Sequence, residues 1–170
     1  NLGSMYDKGQ GVTQDSKQAA KWFTLAAEQG LAEAQYNLGF MYDKGQGVIQ
    51  DHKQAVKWYT LAAEQGAIEA QYNLGLKYYN GQGVTQDYKQ AVEWYTLSAE
   101  EGYIDAQHNL GLMYYMGRGV IQDDVIAHMW ANIAASNGQS PKARDLMAKE
   151  MTPAQIEQAQ QKAREWVEKH

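Results

Sequence analysis

The 170-residue chain contains no cysteine. A disulfide framework, a thiolate metal site and a cysteine nucleophile are therefore excluded, while the redox compartment stays open. Proline is nearly absent: only Pro141 and Pro153 occur, so no proline breaks a helix before residue 141. Positive charge is scarce, with 15 Lys and Arg against 20 Asp and Glu and a formal net charge of −5. That balance leaves no basic footprint for nucleic acid or an anionic membrane. No apolar run approaches the ~20 residues that span a bilayer, so membrane insertion is not expected.

Catalytic signals are missing as well. The four histidines are His52, His108, His128 and His170, and no two stand at i, i+4 on one helix, so a metal pair is unsupported. His52 fills a slot held elsewhere by Ser16, Tyr88 and Asp124, as expected of a solvated loop-edge position. The glycine loops lack the Lys-Ser or Lys-Thr of a nucleotide-binding loop. The recurring carboxylates Glu28, Glu64 and Glu100 have surface explanations, and Asp15, Asp51 and Asp87 have capping ones. With no convergent nucleophile, base or metal set, the expectation is a non-enzyme without cofactor or metal.

What is present is repetition. Asn1-Leu2-Gly3 returns as Asn37-Leu38-Gly39, Asn73-Leu74-Gly75 and Asn109-Leu110-Gly111, a period of 36 residues. Residues 1–36 and 37–72 are identical at 29 of 36 positions, and 37–72 and 73–108 at 24. Such a period marks an array of two-helix units, each unable to bury its apolar face alone. The spacing predicts an all-α solenoid over 1–170, with repeats 1–36, 37–72, 73–108 and 109–144 and capping helices over 145–170. Asn1 falls inside a repeat, which reads as an N-terminally truncated first unit.

Within one repeat, Ala32 to Asp43 is rich in helix formers and stops before Gly45. The loop Gly45-Gln46-Gly47-Val48 offers two glycines for turns, with Val48 expected to tuck inward. Asp51 and Gln54 form a candidate capping box at the second helix, repeated as Asp15/Gln18 and Asp87/Gln90. Helix B is expected to run to Gln65, with Gly66 closing it. Ala55, Trp58, Tyr59 and Ala62 share one helical face. Ala34, Leu38 and Tyr42 form the matching stripe, and Gly39 admits another backbone. The tryptophans Trp22, Trp58, Trp94 and Trp130 read as core packing rather than ligand platforms.

The array changes character at its end. Asp123 lacks the Gln of the earlier boxes. Ser140-Pro141 reads as an N-cap with first-turn proline, and Thr152 with Gln155 as another capping box. The last helix is expected to turn Ile156, Ala159, Ala163, Trp166 and Val167 to one side as a terminal cap.

Ala34, Leu38-Gly39, Tyr42, Gly45-Gln46-Gly47-Val48, Asp51, Ala55, Trp58, Ala63 and Gly66 together resemble the Sel-1-like repeat, a relative of the tetratricopeptide repeat. The match covers 1–138 plainly and 139–170 as a degenerate capping end. The closing Met151 to Ile156 and Ala163 to Trp166 are similar to the tail of bacterial members. The resemblance implies a right-handed α/α superhelix of antiparallel helix pairs and adaptor or scaffold work, often in exported proteins. Its implied partners are proteins or peptides; a monomer is expected. It also supplies an alternative, a cell-wall-related small-molecule binder or hydrolase like the β-lactam-linked members. Those members carry a disulfide-linked cysteine pair in each repeat, which this chain lacks.

The resemblance further implies that the first helices line the concave surface. With Ala34, Leu38 and Tyr42 on the core arc, a turn of about 100° per residue leaves Glu33, Tyr36, Asn37, Phe40, Asp43 and Lys44 opposite. In the next repeat the corresponding candidates are Tyr72, Asn73, Leu76 and Tyr79. The one after offers His108, Asn109, Leu112, Tyr115 and Met116. The face becomes more aromatic along the chain, and an aromatic-lined groove over 72–116 is expected. Phe40, Leu76 and Leu112 have a competing explanation, burial against a neighbouring helix B.

Overall fold

The computed structural model describes residues 2–170; Asn1, which opens the first repeated triplet, lies outside the described residues. The described residues form ten α-helices and no strand, in two compact units, Asn1–Gln86 and Asp87–His170. The first unit holds α1 (Leu2–Lys8), α2 (Ser16–Glu28), α3 (Ala32–Lys44), α4 (His52–Glu64) and α5 (Ile68–Asn80). The second holds α6 (Tyr88–Glu100), α7 (Ile104–Met116), α8 (Asp124–Ser136), α9 (Lys142–Ala148) and α10 (Pro153–Val167). Within the first unit each of α1 to α4 packs on the helix that follows it, and within the second α6 packs on α7, α7 on α8, and α9 and α10 on α8.

Helix ends follow from local chemistry. Asp51 sits in an extended conformation, and its carboxylate accepts from the N–H groups of Lys53 and Gln54 at 2.8 and 3.1 Å. Asp15 and Asp87 do the same for α2 and α6. The glutamine half of the expected boxes does not form there; Gln90 turns instead to Glu93, at 2.8 Å. Asp123 caps α8 without any such glutamine, through the N–H of Ile126. Thr152 and Gln155 make the full reciprocal box at α10. Ser140 is not the cap of α9: Pro141 occupies that position and the helix starts at Lys142.

The two glycines of each loop have different tasks. Gly45, Gly81 and Gly117 close α3, α5 and α7 in the left-handed conformation, with φ of 69°, 68° and 62°. The second glycine is where one repeat meets the one before it. A Cβ on Gly47 would overlap the carbonyl of Ser16 at the start of α2, and one on Gly83 would overlap that of His52 at the start of α4. In the second unit Gly119 stands against Tyr88 in the same way.

The apolar faces pack as the spacing predicts. Ala34 and Leu38 are fully buried, Tyr42 and Val48 pack half-buried on the same cluster, and Ala55, Trp58, Tyr59 and Ala62 are buried. Gly39 lies under the ring of Tyr59, where an added Cβ would come within 2.8 Å of Cδ1. Buried glutamines tie successive pairs together. Gln35 donates to the carbonyl of Ala27 at 3.2 Å and accepts from Gln65 at 2.7 Å. Gln107 repeats this with Ala99 and Asn137, both at 3.1 Å.

Two expectations about packing are corrected. Trp22 is 38% exposed, whereas Trp58 is buried in one cluster with Ala19, Ala20 and Phe23 of α2. Among the described residues no helix pair precedes α2 to cover Trp22 in that manner. At the other end, Ala159 and Ala163 of α10 are buried and Trp166 meets Trp130 edge-on at 5.3 Å, but Val167 is 57% exposed. It lies in the last turn of α10, beyond the buried stripe.

Gly39→Ala, which must displace a buried ring, is expected to lose about 1–3 kcal/mol of stability. Gly47→Ala combines a backbone overlap with φ of +70° and is expected to lose more than about 3 kcal/mol. Urea denaturation of both variants checks the size and the order.

Candidate functional site

Three first helices of the repeats, α1, α3 and α5, meet around an open cleft of ≈ 370 Å³ in the first unit. From α1 come Ser4, Asp7 and Lys8, and from α3 Glu33, Tyr36 and Asn37. Ala67 and Glu69 at the start of α5 close one side, and Phe23 contributes from beneath. Tyr36 is half-buried, its ring 6.0 Å from that of Tyr59. Burial pushes the Tyr59 hydroxyl far above the usual tyrosine range, with the carboxylate of Asp43 adding to the effect. Tyr59 is thus a neutral packing floor for Tyr36.

Next to this cleft α3 carries a side-chain cluster that sequence reading placed wrongly. Asp43 was expected on the outward face but is only 7% exposed. Its Oδ1 receives Lys77 Nζ of α5, itself 5% exposed, and lies 2.9 Å from His52 Nδ1; its Oδ2 is 3.1 Å from Lys44 Nζ. Lys77 also donates to Gln82 at 3.1 Å. Burial alone would raise the Asp43 pKa, but the bonds and charges of Lys77 and Lys44 overcome it and hold the carboxyl below its usual range. His52, expected in solvent, is a half-buried member of this cluster. The signal was present in the sequence: Lys77 stands where the flanking repeats have Met41 and Met113. A lysine in a methionine slot of a helical stripe needs a buried acid, and Asp43 supplies it.

Phe40, Tyr72, Asn73, Leu76 and Tyr79 of the first unit are all half-buried. In the second unit His108 and Asn109 are half-buried and Met116 is exposed. Leu112 and Tyr115 pack against the cluster of Ala127, Ala131, Met147, Met151 and Ala159 that joins α8 to the C-terminal helices. The Tyr115 hydroxyl donates to Glu150 at 2.8 Å, a bond that raises its pKa. His128 was given no role from sequence; it fills the slot of Val56 and Val92, is 2% exposed, and its Nδ1 has no hydrogen-bond partner. Burial first, then the nearby Arg144 guanidinium, lowers its pKa, with Asp145 opposing, so it is held neutral.

Among the described residues no group of three or more His, Asp or Glu side chains is arranged to hold a metal ion. No helix is long and apolar enough to cross a membrane. In the first unit some charged groups neutralise one another, as around Asp43, and others line the open cleft. The geometry defines an all-α protein of stacked helix-pair repeats that presents side chains from its first helices.

The chain belongs to the Sel1 repeat family, whose repeat model matches residues 1–31, 32–66, 68–103 and 104–139. Solved relatives agree. A Sel1 repeat protein from Oxalobacter formigenes is 35% identical with a TM-score of 0.82, over 98% of this chain and 70% of that one. The protective antigen c5321 of uropathogenic Escherichia coli strains, which displays an SLR fold, is 46% identical with a TM-score of 0.80. That likeness covers 81% of this chain but only 30% of the antigen, so the chain spans under a third of that relative's length. The Helicobacter pylori cysteine-rich protein B shares the fold at 24% identity and a TM-score of 0.59, over 81% of this chain and 98% of that one. No curated protein matches the chain.

Lys77→Met alone strips Asp43 of its buried partner and is expected to cost about 2 kcal/mol. Adding Asp43→Tyr gives the residues found at these two positions one repeat later, Tyr79 and Met113. The double variant is expected to return to within about 1 kcal/mol of the parent or to exceed it. A thermal double-mutant cycle reads the difference.

Proposed function

We propose that the chain is a protein-interaction adaptor that receives a peptide or protein segment on the exposed faces of its first helices, as a monomer. The observation that carries the reading is the cleft between α1, α3 and α5, an open concavity with an aromatic wall at Tyr36 and amide groups at Asn37. Phe40, Tyr72, Asn73, Leu76 and Tyr79 extend the proposed surface within the first unit. His108, Asn109, Leu112, Tyr115 and Met116 are its proposed counterparts in the second. Tyr115 and Leu112 there also support the packing of the C-terminal helices, so they combine contact with structure. Membership of the Sel1 repeat family, whose repeats commonly serve as interaction scaffolds, supports the reading. Clusters that resemble catalytic ones, such as Asp43 with Lys77 and His52, are satisfied internally and offer no free nucleophile or base.

The test is retention of binding proteins by the immobilised chain and by Asn37→Ala and Tyr36→Ala variants, with melting temperature measured alongside. A specific partner is expected to bind each variant about tenfold more weakly or worse. Asn37→Ala is expected to leave the melting temperature unchanged, while Tyr36→Ala lowers it modestly through lost contact with Tyr59. A partner held equally by all three proteins would place recognition away from this cleft.

A further inference from the structure

The repeat lets one carboxylate be compared with its own copy one unit later. Asp7 of α1 and Asp43 of α3 occupy the same position of the 36-residue period. Asp43 is surrounded by cations that the chain itself provides: Lys77, Lys44 and His52. At the positions corresponding to Lys77 and His52, the surroundings of Asp7 have Met41 and Ser16, and only Lys44 has a cationic counterpart, Lys8. Met41 is buried in the apolar cluster and brings no charge. Asp7 is also less enclosed than Asp43, half-buried and facing the cleft.

The rest of the cleft has the same sign. Glu33 and Glu69 are exposed carboxylates on its wall, and Lys8 is the one cation among its lining residues. Three carboxylates against one ammonium around ≈ 370 Å³ make a negative concavity, and low-dielectric walls focus such a field. Tyr36 adds a ring suited to a cation beside it. The volume accommodates one long side chain with adjoining backbone, not a folded surface.

We propose that this cleft binds an extended basic segment of a partner protein, with a lysine or arginine side chain directed to Asp7 as Lys77 is directed to Asp43. This rests on the interaction reading above and adds the charge of the occupant. Asp7 supplies the direct ion pair, Glu33 and Glu69 the attraction at the rim, and Asn37 a side-chain amide for peptide backbone. The arrangement discriminates against acidic segments, which would meet three like charges.

The test uses three hexapeptides, alternating glycine with arginine, glutamine or glutamate, titrated into the 15N-labelled chain at low salt. The arginine peptide is expected to shift amides of α1, α3 and the start of α5 in a saturable manner, and the other two peptides not to. The Asp7→Asn/Glu33→Gln/Glu69→Gln variant, with its melting temperature unchanged, is expected to bind the arginine peptide about tenfold more weakly. Raising salt is expected to weaken binding to the parent and have little effect on the variant. If the glutamine or glutamate peptide shifts the same amides equally, the charge inference is overturned and the interaction reading stands. If the arginine peptide binds elsewhere, binds the triple variant equally, or does not bind, the inference is also overturned. The interaction reading is then decided by the Asn37→Ala and Tyr36→Ala retention experiment alone.

Discussion

A single helix pair of this chain cannot bury its own apolar face, and the contact that relieves this is a glycine backbone pressed on the start of an earlier helix. Gly47 against Ser16, Gly83 against His52 and Gly119 against Tyr88 are the same contact made three times. Each requires a residue without Cβ and with positive φ, which only glycine supplies without strain. Once that approach is made, alanines, Trp58 and Tyr59 meet their neighbours, and the buried glutamines reach carbonyls of the preceding helix. Stability is then a sum of units and interfaces, the condition under which repeat proteins tolerate change elsewhere.

The stacking glycines recur in every loop, and Ala55 recurs as Ala19, Ala91 and Ala127, while substitutions fall on both helices, in the loops and in a few core slots. The slot holding Met41, Lys77 and Met113 shows how far a core position can drift when a partner compensates, since Lys77 is admitted by the carboxylate of Asp43. A buried ion pair of this kind is weak evidence for stability, because desolvation offsets the attraction. Asp7, at the same position of the first repeat, keeps Lys8 in the place of Lys44 but lacks counterparts of Lys77 and His52.

Much of the fold was legible because periodicity, capping residues and glycine placement all point the same way. Helix α3 ends before Gly45 as read, and α4 starts after Asp51 with the aspartate doing the capping. The capping glutamines misled because the Asp carboxylate alone serves the free N–H groups, leaving Gln90 free to bond Glu93. Asp43 and His52 misled for a different reason: a helical wheel assigns faces within one helix, whereas their environment is set by Lys77, 34 residues after Asp43. Trp22 shares the residue type of Trp58 but not its neighbours, so the repeat pattern alone could not give its exposure. Tyr36 and Asn37 were found at the cleft because outward position on α3 is a local property, while Asp7 needed the comparison between repeats.

Hydrogen exchange of the free protein at the loop amides of Gln46, Asp51 and Gln82 tests the stacking contact most directly. These N–H groups bond to the carbonyls of Met41, Tyr42 and Lys77 at 2.9–3.0 Å inside loops that rest on an earlier helix. If the glycine contact holds the array together, they exchange as slowly as amides in the middle of α3 and α4. Fast exchange there, with the helices still protected, would contradict the account, since the helix pairs would then be held by their apolar faces alone.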